Sequence, residues 1–286
     1  MKLPNLNYLG TVAKIRYTQN MFESRRTRNP DDSAGLFLSI WSRTWCALRF
    51  VGLRPFIRKS PWYWYILART VYYDELFLAA IFSGFSGIIN IGCGADTRSI
   101  RFRRLIDRKK ISVAELDQAE SILQKQMVVP TELLPHTLRF GSININSGAF
   151  DAVSTLISNF GSGPILVMME GVSPYVEGES FRSLLRFLSE ELTDDSIVAY
   201  DYKISGVDDE FGIGTQSALG FRLPDSAEEV CRYHKELGFK LVDFLRGGEL
   251  SAVESPSSVP PFYEDNLVKL AIGSRLGRKD ANNLSR

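Results

Sequence analysis

From residue 87 to residue 272 the chain alternates short, almost unbroken apolar runs with segments of helical length, and few folds accommodate that rhythm. Ile88 to Ile91, Ile111 to Leu116, Ile165 to Met169, Ile197 to Asp201 and Phe239 to Phe244 are each four to six residues long. Strands buried on both faces read as continuous apolar runs, whereas a strand with one wet face alternates. Helical patterns lie between them, at Ser180 to Leu192 and Ser226 to Leu237. Strands alternating with helices imply an α/β fold, a mostly parallel sheet wound by crossover connections with helices on both faces. Asn266 to Ile272 offers one more strand.

The residues before the sheet lack strand alternation and carry helical spacing, so 1–84 is expected to form a helical cap or lid, with Asn29-Pro30-Asp31-Asp32-Ser33 as a turn. Residues 85–274 form the sheet domain, 205–223 read as a Gly- and Asp-rich lid-like insertion, and 275–286 as a frayed polar tail. The apolar stretch Leu36 to Ile57 is broken by Arg43, Arg49 and Arg54, which argues for helices packed on a core and against a membrane span. Trp41, Trp45, Trp62 and Trp64 are accordingly expected to be buried or half-buried, an interfacial surface being the alternative.

With 34 basic against 33 acidic residues there is no net field to draw a polyanion, so no nucleic-acid partner is expected, and no membrane partner. The run Arg101, Arg103, Arg104, Arg108, Lys109 and Lys110 reads as a solvated helix end. Cys46, Cys93 and Cys231 are odd in number and widely spaced, which predicts neither a disulfide framework nor a metal site and fits a reducing, cytoplasmic compartment.

Gly92-Cys93-Gly94-Ala95-Asp96-Thr97-Arg98 follows the first strand and opens a helix, where an α/β sheet receives a nucleotide. Glycine there lets backbone approach a ligand closely. The third glycine of a dinucleotide fingerprint is absent, because position 97 is Thr, so an adenosine without a pyrophosphate fits better. Asp117 ends the next strand, where a carboxylate accepts from ribose hydroxyls; it suits a helix N-cap as well. Glu170, followed by Gly171, closes the Ile165 to Met169 strand at the same crevice and can neutralise a cationic group. Arg69 and Arg98 can pair with a ligand carboxylate. S-adenosylmethionine carries an ammonium, a carboxylate and a ribose, and these residues supply a partner for each.

These residues resemble the leucine carboxyl methyltransferase family, in particular its bacterial polyketide O-methyltransferases. The marks are Val12-Ala13-Lys14, Ala68-Arg69, Asn90-Ile91-Gly92-Cys93-Gly94-Ala95-Asp96-Thr97-Arg98, Glu115-Leu116-Asp117 and Glu170-Gly171-Val172-Ser173-Pro174-Tyr175. The resemblance implies a Rossmann-like class I methyltransferase fold with a seven-stranded, mostly parallel sheet and an N-terminal helical lid. It implies Arg69 and Arg98 on the cofactor carboxylate side, Asp117 on the ribose, Glu170 near the amino group, and Lys14 near the cofactor or the substrate entrance. Where the family has an Asp-Leu pair beside the adenine, this chain reads Gly141-Ser142-Ile143-Asn144, so Ser142, Ile143 and Asn144 are the expected adenine contacts.

Methyl transfer to a carboxylate requires no base, whereas a phenol or alcohol does. The two histidines, His136 and His234, sit in no catalytic motif and read as surface or packing residues, which favours a small-molecule carboxylate; a phenol or alcohol, or a protein C-terminus, is the alternative acceptor. Tyr175, Tyr200 and Tyr202 fall at strand ends, where they can orient an acceptor or pack in the core. A non-catalytic cofactor-binding protein is the alternative from another class. A nicotinamide oxidoreductase is disfavoured by the missing glycine.

Overall fold

A computed structural model describes residues 6–207 and 220–272. The expected tail 275–286, and most of the insertion expected over 205–223, lie outside the described residues. Three long helices come first: α1 (Leu6–Phe22), α2 (Ile40–Ile57) and α3 (Pro61–Phe82), the last started by a proline in its first turn, where a missing N–H costs nothing. The sheet follows as β1 (Gly87–Ile91), α4 (Arg98–Arg101), α5 (Arg103–Lys109), β2 (Ser112–Asp117), α6 (Ala119–Val128), β3 (Leu138–Ser142), α7 (Asp151–Asn159) and β4 (Ile165–Met169). It is completed by α8 (Gly178–Glu191), β5 (Ile197–Ile204), β6 (Arg222–Leu223), α9 (Ala227–Glu236), β7 (Phe239–Arg246), α10 (Gly247–Glu254) and β8 (Asp265–Ile272).

The strand order is β3-β2-β1-β4-β5-β8-β7, with the two-residue β6 added to the end of β5. Strands β1 to β5 run parallel, and β8 is antiparallel to both β5 and β7. The seven-strand path agrees with the expected sheet; β6 is an addition, carried by only two residue pairs. Because the chain leaves β1 in one direction toward β2 and β3 and later returns to β4 on the other side, the order reverses between β1 and β4. In α/β sheets a ligand is received at such a reversal, at the carboxyl ends of the strands.

One face of the sheet is covered by α7, α8 and α9 through Val153, Ile157, Phe181, Leu184, Leu188 and Val230. The other is covered by α3 and α5 through Tyr65, Tyr73, Phe77, Ile81 and Ile106. The strand β3, absent from the apolar runs, is an edge strand whose residues are half-buried or exposed, so its sequence carries polar positions that an interior strand does not. Ser226 caps α9 by accepting from the Glu229 amide at 3.3 Å, the start the sequence indicates. Trp64 is fully buried, but Trp41 and Trp45 are 81% and 63% exposed, contrary to the burial expected of them.

Candidate active site

The turn after β1 is built from glycines for steric reasons. Gly92 has φ +72°, and a Cβ there would lie 2.3 Å from Val172 Cγ2. Gly94 has φ +40°, a conformation that L side chains rarely adopt. The Gly92 and Cys93 amides donate to Leu116 O at 2.7 and 3.1 Å, which ties the turn to β2. Cys93 is buried, and burial pushes its thiol well above the ordinary range.

Asp117 is held against this turn. One carboxylate oxygen accepts from the Gly94 amide at 2.8 Å and the other from the Gln118 amide at 2.7 Å. The N-cap position of α6 is Gln118, so Asp117 is not the cap, and each of its oxygens, accepting one hydrogen bond here, has capacity for another. Ser142 pairs in register with Asp117, the Ile143 amide donates to Asp117 O at 2.8 Å, and Asn144 follows, its side chain accepting from the Asn146 amide at 3.2 Å. These three lie beside Asp117 at the ends of β2 and β3. Ile143 is buried, whereas Ser142 and Asn144 are exposed.

A dense ionic cluster closes the other side, at the end of β4. Glu170 receives Arg69 Nε at 3.1 Å, Arg98 Nη1 at 2.8 Å, and Arg16 Nη2. Arg69 also pairs with Asp201 at 3.1 Å. Arg98 reaches Asp74 at 2.8 Å, Asp96, and the Thr70 carbonyl at 3.3 Å. Arg101 grips Asp74 through two nitrogens at 2.6 and 2.7 Å, and Thr97 donates to Asp31 at 2.7 Å. Burial works to raise the Glu170 carboxyl, but the guanidiniums of Arg16, Arg98 and Arg69 outweigh it and hold it down at about 2. For Asp201 burial prevails over Arg69, and the carboxyl rises.

Four guanidiniums, of Arg16, Arg69, Arg98 and Arg101, thus meet five carboxylates, of Asp31, Asp74, Asp96, Glu170 and Asp201. Gly171, with φ +68°, carries the chain past this cluster; a Cβ there would lie 3.6 Å from the Arg69 guanidinium, and its amide donates to Asp201 at 2.7 Å.

Arg69, Arg98, Glu170, Gly171, Gly92, Cys93, Gly94 and Asp117 are therefore brought together around the ends of β1, β2 and β4. Arg98 is 1% exposed with donors on Nε, Nη1 and Nη2 engaged by the protein, so it is the fixed centre of the cluster. Lys14 does not join. Two residues along a helix is a rotation of about 200°, so Lys14 and Arg16 face different ways, and Arg16 is the residue that reaches Glu170. Arg16 belongs to a buried polar row, Arg16, Gln19, Asn20 and Glu23, whose i, i+3, i+4, i+7 spacing is visible in the sequence as one helix face, a polar row where an apolar stripe is the usual mark of burial.

Tyr200 and Tyr202 are fully buried in the core beneath α8 and α9 and do not line a rim. The Tyr200 hydroxyl meets His234 Nε2 at 2.5 Å, and that of Tyr202 donates to Pro224 O at 3.2 Å. The reason is the two-residue period of β5: with the tyrosines on the α8 side, Asp201 between them projects toward α3 and the ionic cluster. Asp201 was legible as an acid ending an apolar run. Tyr175 stands half-buried in the short 3-10 turn Ser173–Tyr175 after β4.

The strand order and layering are those of the Rossmann-like fold found in methyltransferases. The leucine carboxyl methyltransferase family model matches residues 54–189, just under half of the chain, a span that includes Arg69, the glycine turn, Asp117 and Glu170. A protein from Thermobifida fusca classed as a methyltransferase shares the fold at TM-score 0.56 and 10% identity, over 92% of this chain and 94% of that one. Magnesium protoporphyrin IX methyltransferase from Synechocystis, with bound S-adenosylhomocysteine, is similar at TM-score 0.47 and 12% identity, over 81% of this chain and 100% of that one. LepI in complex with S-adenosylmethionine is similar at TM-score 0.44 and 11% identity, over 70% of this chain. The chain spans 46% of LepI's length, and 62% and 59% of two further matched structures. No curated protein sequence matches the chain.

Proposed function

We propose that this chain is an O-methyltransferase using S-adenosylmethionine, and that its acceptor is the carboxylate of a small molecule, such as a polyketide or other natural-product intermediate, giving a methyl ester. The observation that carries the reading is the excess of one carboxylate over the guanidiniums in the cluster beside the glycine turn. A cluster that is negative on balance, yet holds fixed cations, suits a neighbouring ligand that is cationic overall and bears one carboxylate.

The residues fit that cofactor at three points. Asp117 would take the ribose hydroxyls with its free lone pairs, Arg69 the carboxylate, and Glu170 with Asp201 the ammonium; Ser142, Ile143 and Asn144 would border the adenine. When bound, S-adenosylmethionine supplies a methyl group already activated on a sulfonium. The protein then has to hold the acceptor in line with that group and exclude water. Tyr175 remains the candidate for orienting the acceptor, since it follows Glu170 in the same loop, while Tyr200 and Tyr202 act through the core. A carboxylate acceptor is already ionised at neutral pH, so the step asks for no general base.

The test is an acceptor screen read by mass spectrometry, followed by mild alkaline hydrolysis of the product. A methyl ester hydrolyses and supports the reading; an alkali-stable aryl ether, formed at a rate rising with pH toward a phenol's pKa, overturns the carboxylate assignment.

A further inference from the structure

Helix α2 turns its apolar side to solvent. Only Cys46 and Phe50 are buried on it, and Phe50 stacks on Phe22 of α1 with ring centroids 5.2 Å apart. On the opposite side Trp41, Trp45, Leu48, Val51 and Phe56 are 81, 63, 65, 79 and 70% exposed. At about 100° per residue, Trp41, Trp45, Leu48 and Phe56 fall on one outward stripe, where a helix on a soluble surface carries polar residues. Isolated exposed apolar residues require no explanation, but a continuous stripe of large ones marks a contact surface.

Charge identifies what the surface meets. From Ser33 to Tyr73 there is no Asp or Glu, although the same stretch holds Arg43, Arg49, Arg54, Arg58, Lys59 and Arg69. Arg69 is committed to the active site and Arg58 pairs with Glu23 at 3.4 Å. Arg49, Arg54 and Lys59 are exposed along the helix and just beyond its end. A second copy of the chain packed on this stripe by two-fold symmetry would bring arginine against arginine with no acid to answer it. An anionic bilayer answers both features: its headgroups attract the arginines, and its interface accepts tryptophan rings.

We propose that α2 docks lengthwise on the surface of an anionic lipid bilayer, its Trp41, Trp45, Leu48 and Phe56 side chains entering the headgroup region. The helix lies on the membrane and does not span it; none among the described residues is long and apolar enough to cross one. The proposal is independent of the acceptor chosen above.

The experiment is vesicle co-sedimentation of the purified chain and of W41S/W45S, whose substituted positions are exposed, with circular-dichroism melting to confirm that both are folded. With vesicles of phosphatidylcholine containing about 30 mol% phosphatidylserine, the parent pellets and is released by salt. Partitioning falls at least about tenfold for the double variant and for phosphatidylcholine alone. No pelleting with anionic vesicles, or equal pelleting of parent and variant, overturns the proposal. So does a dimer in lipid-free sedimentation velocity that the double substitution dissociates, which assigns the stripe to a second copy.

Discussion

Replacing Glu170 by Gln removes one charge from the cluster and almost nothing of its shape, so the effect on stability reports electrostatics. The Glu170 side chain is 9% exposed, and three guanidiniums hold its carboxyl at about 2 against an ordinary 4.5. That difference corresponds to about 3 kcal/mol of stability at neutral pH, by the linkage between proton affinity and folding. Removing one partner of a buried ion pair costs roughly 3 to 5 kcal/mol, because the other charge is left uncompensated. Here four carboxylates remain for four guanidiniums, so the lower end applies. E170Q should therefore lose about 3 kcal/mol in urea denaturation near pH 7, and melt roughly 6 to 12 °C lower for a domain of this size. The sign with pH follows: a depressed carboxyl stabilises above its unfolded value, so the gap between parent and variant is constant above about pH 4.5 and narrows below it. A loss under about 1 kcal/mol at neutral pH would refute the reasoning.

Three further predictions concern His234, Gly92 and the pair Arg16 and Lys14. His234 is buried with its pKa lowered to about 4 by burial, so the parent loses stability as pH falls from about 6.5 toward 4, and H234F should flatten that dependence in denaturation measured across the range. G92A should cost roughly 2 to 4 kcal/mol by thermal or urea unfolding, since it adds a Cβ 2.3 Å from Val172 Cγ2 at a positive φ; adding V172A should recover only the steric part. R16A should destabilise by about 3 kcal/mol and K14A by less than about 0.5 kcal/mol in the same assay, and equal effects would contradict the assignment of Arg16 to the cluster.

The interior strands were readable because burial on both faces forces continuous apolar character, and Ile165 to Met169 agrees with the observed strand at both ends. The edge strand β3 was not, since its one-sided packing leaves polar residues in place. At the site, glycine marks and strand-end acids were legible because their chemistry is local. The partners of Glu170 were not: Arg16 lies 154 residues away in sequence, and its significance arises only when α1 is docked against α3. Tyr200 and Tyr202 mislead for a related reason, because a one-residue change along β5 exchanges crevice for core, and Asp201 occupies the position that looks onto the cluster. The outward tryptophans of α2 reverse the ordinary rule that large aromatics are covered, which is why the sequence alone pointed inward.

The central claim is that the crevice between the glycine turn and Glu170 holds S-adenosylmethionine with Asp117 on its ribose. Titration calorimetry of the parent chain and of D117A with S-adenosylmethionine tests it directly, with unfolding curves to show that both are native. The account predicts saturable binding to the parent and a loss of about tenfold to a hundredfold in D117A, the usual worth of hydrogen bonds to a charged group. No binding by the parent at millimolar cofactor, or equal affinity in D117A, would contradict it.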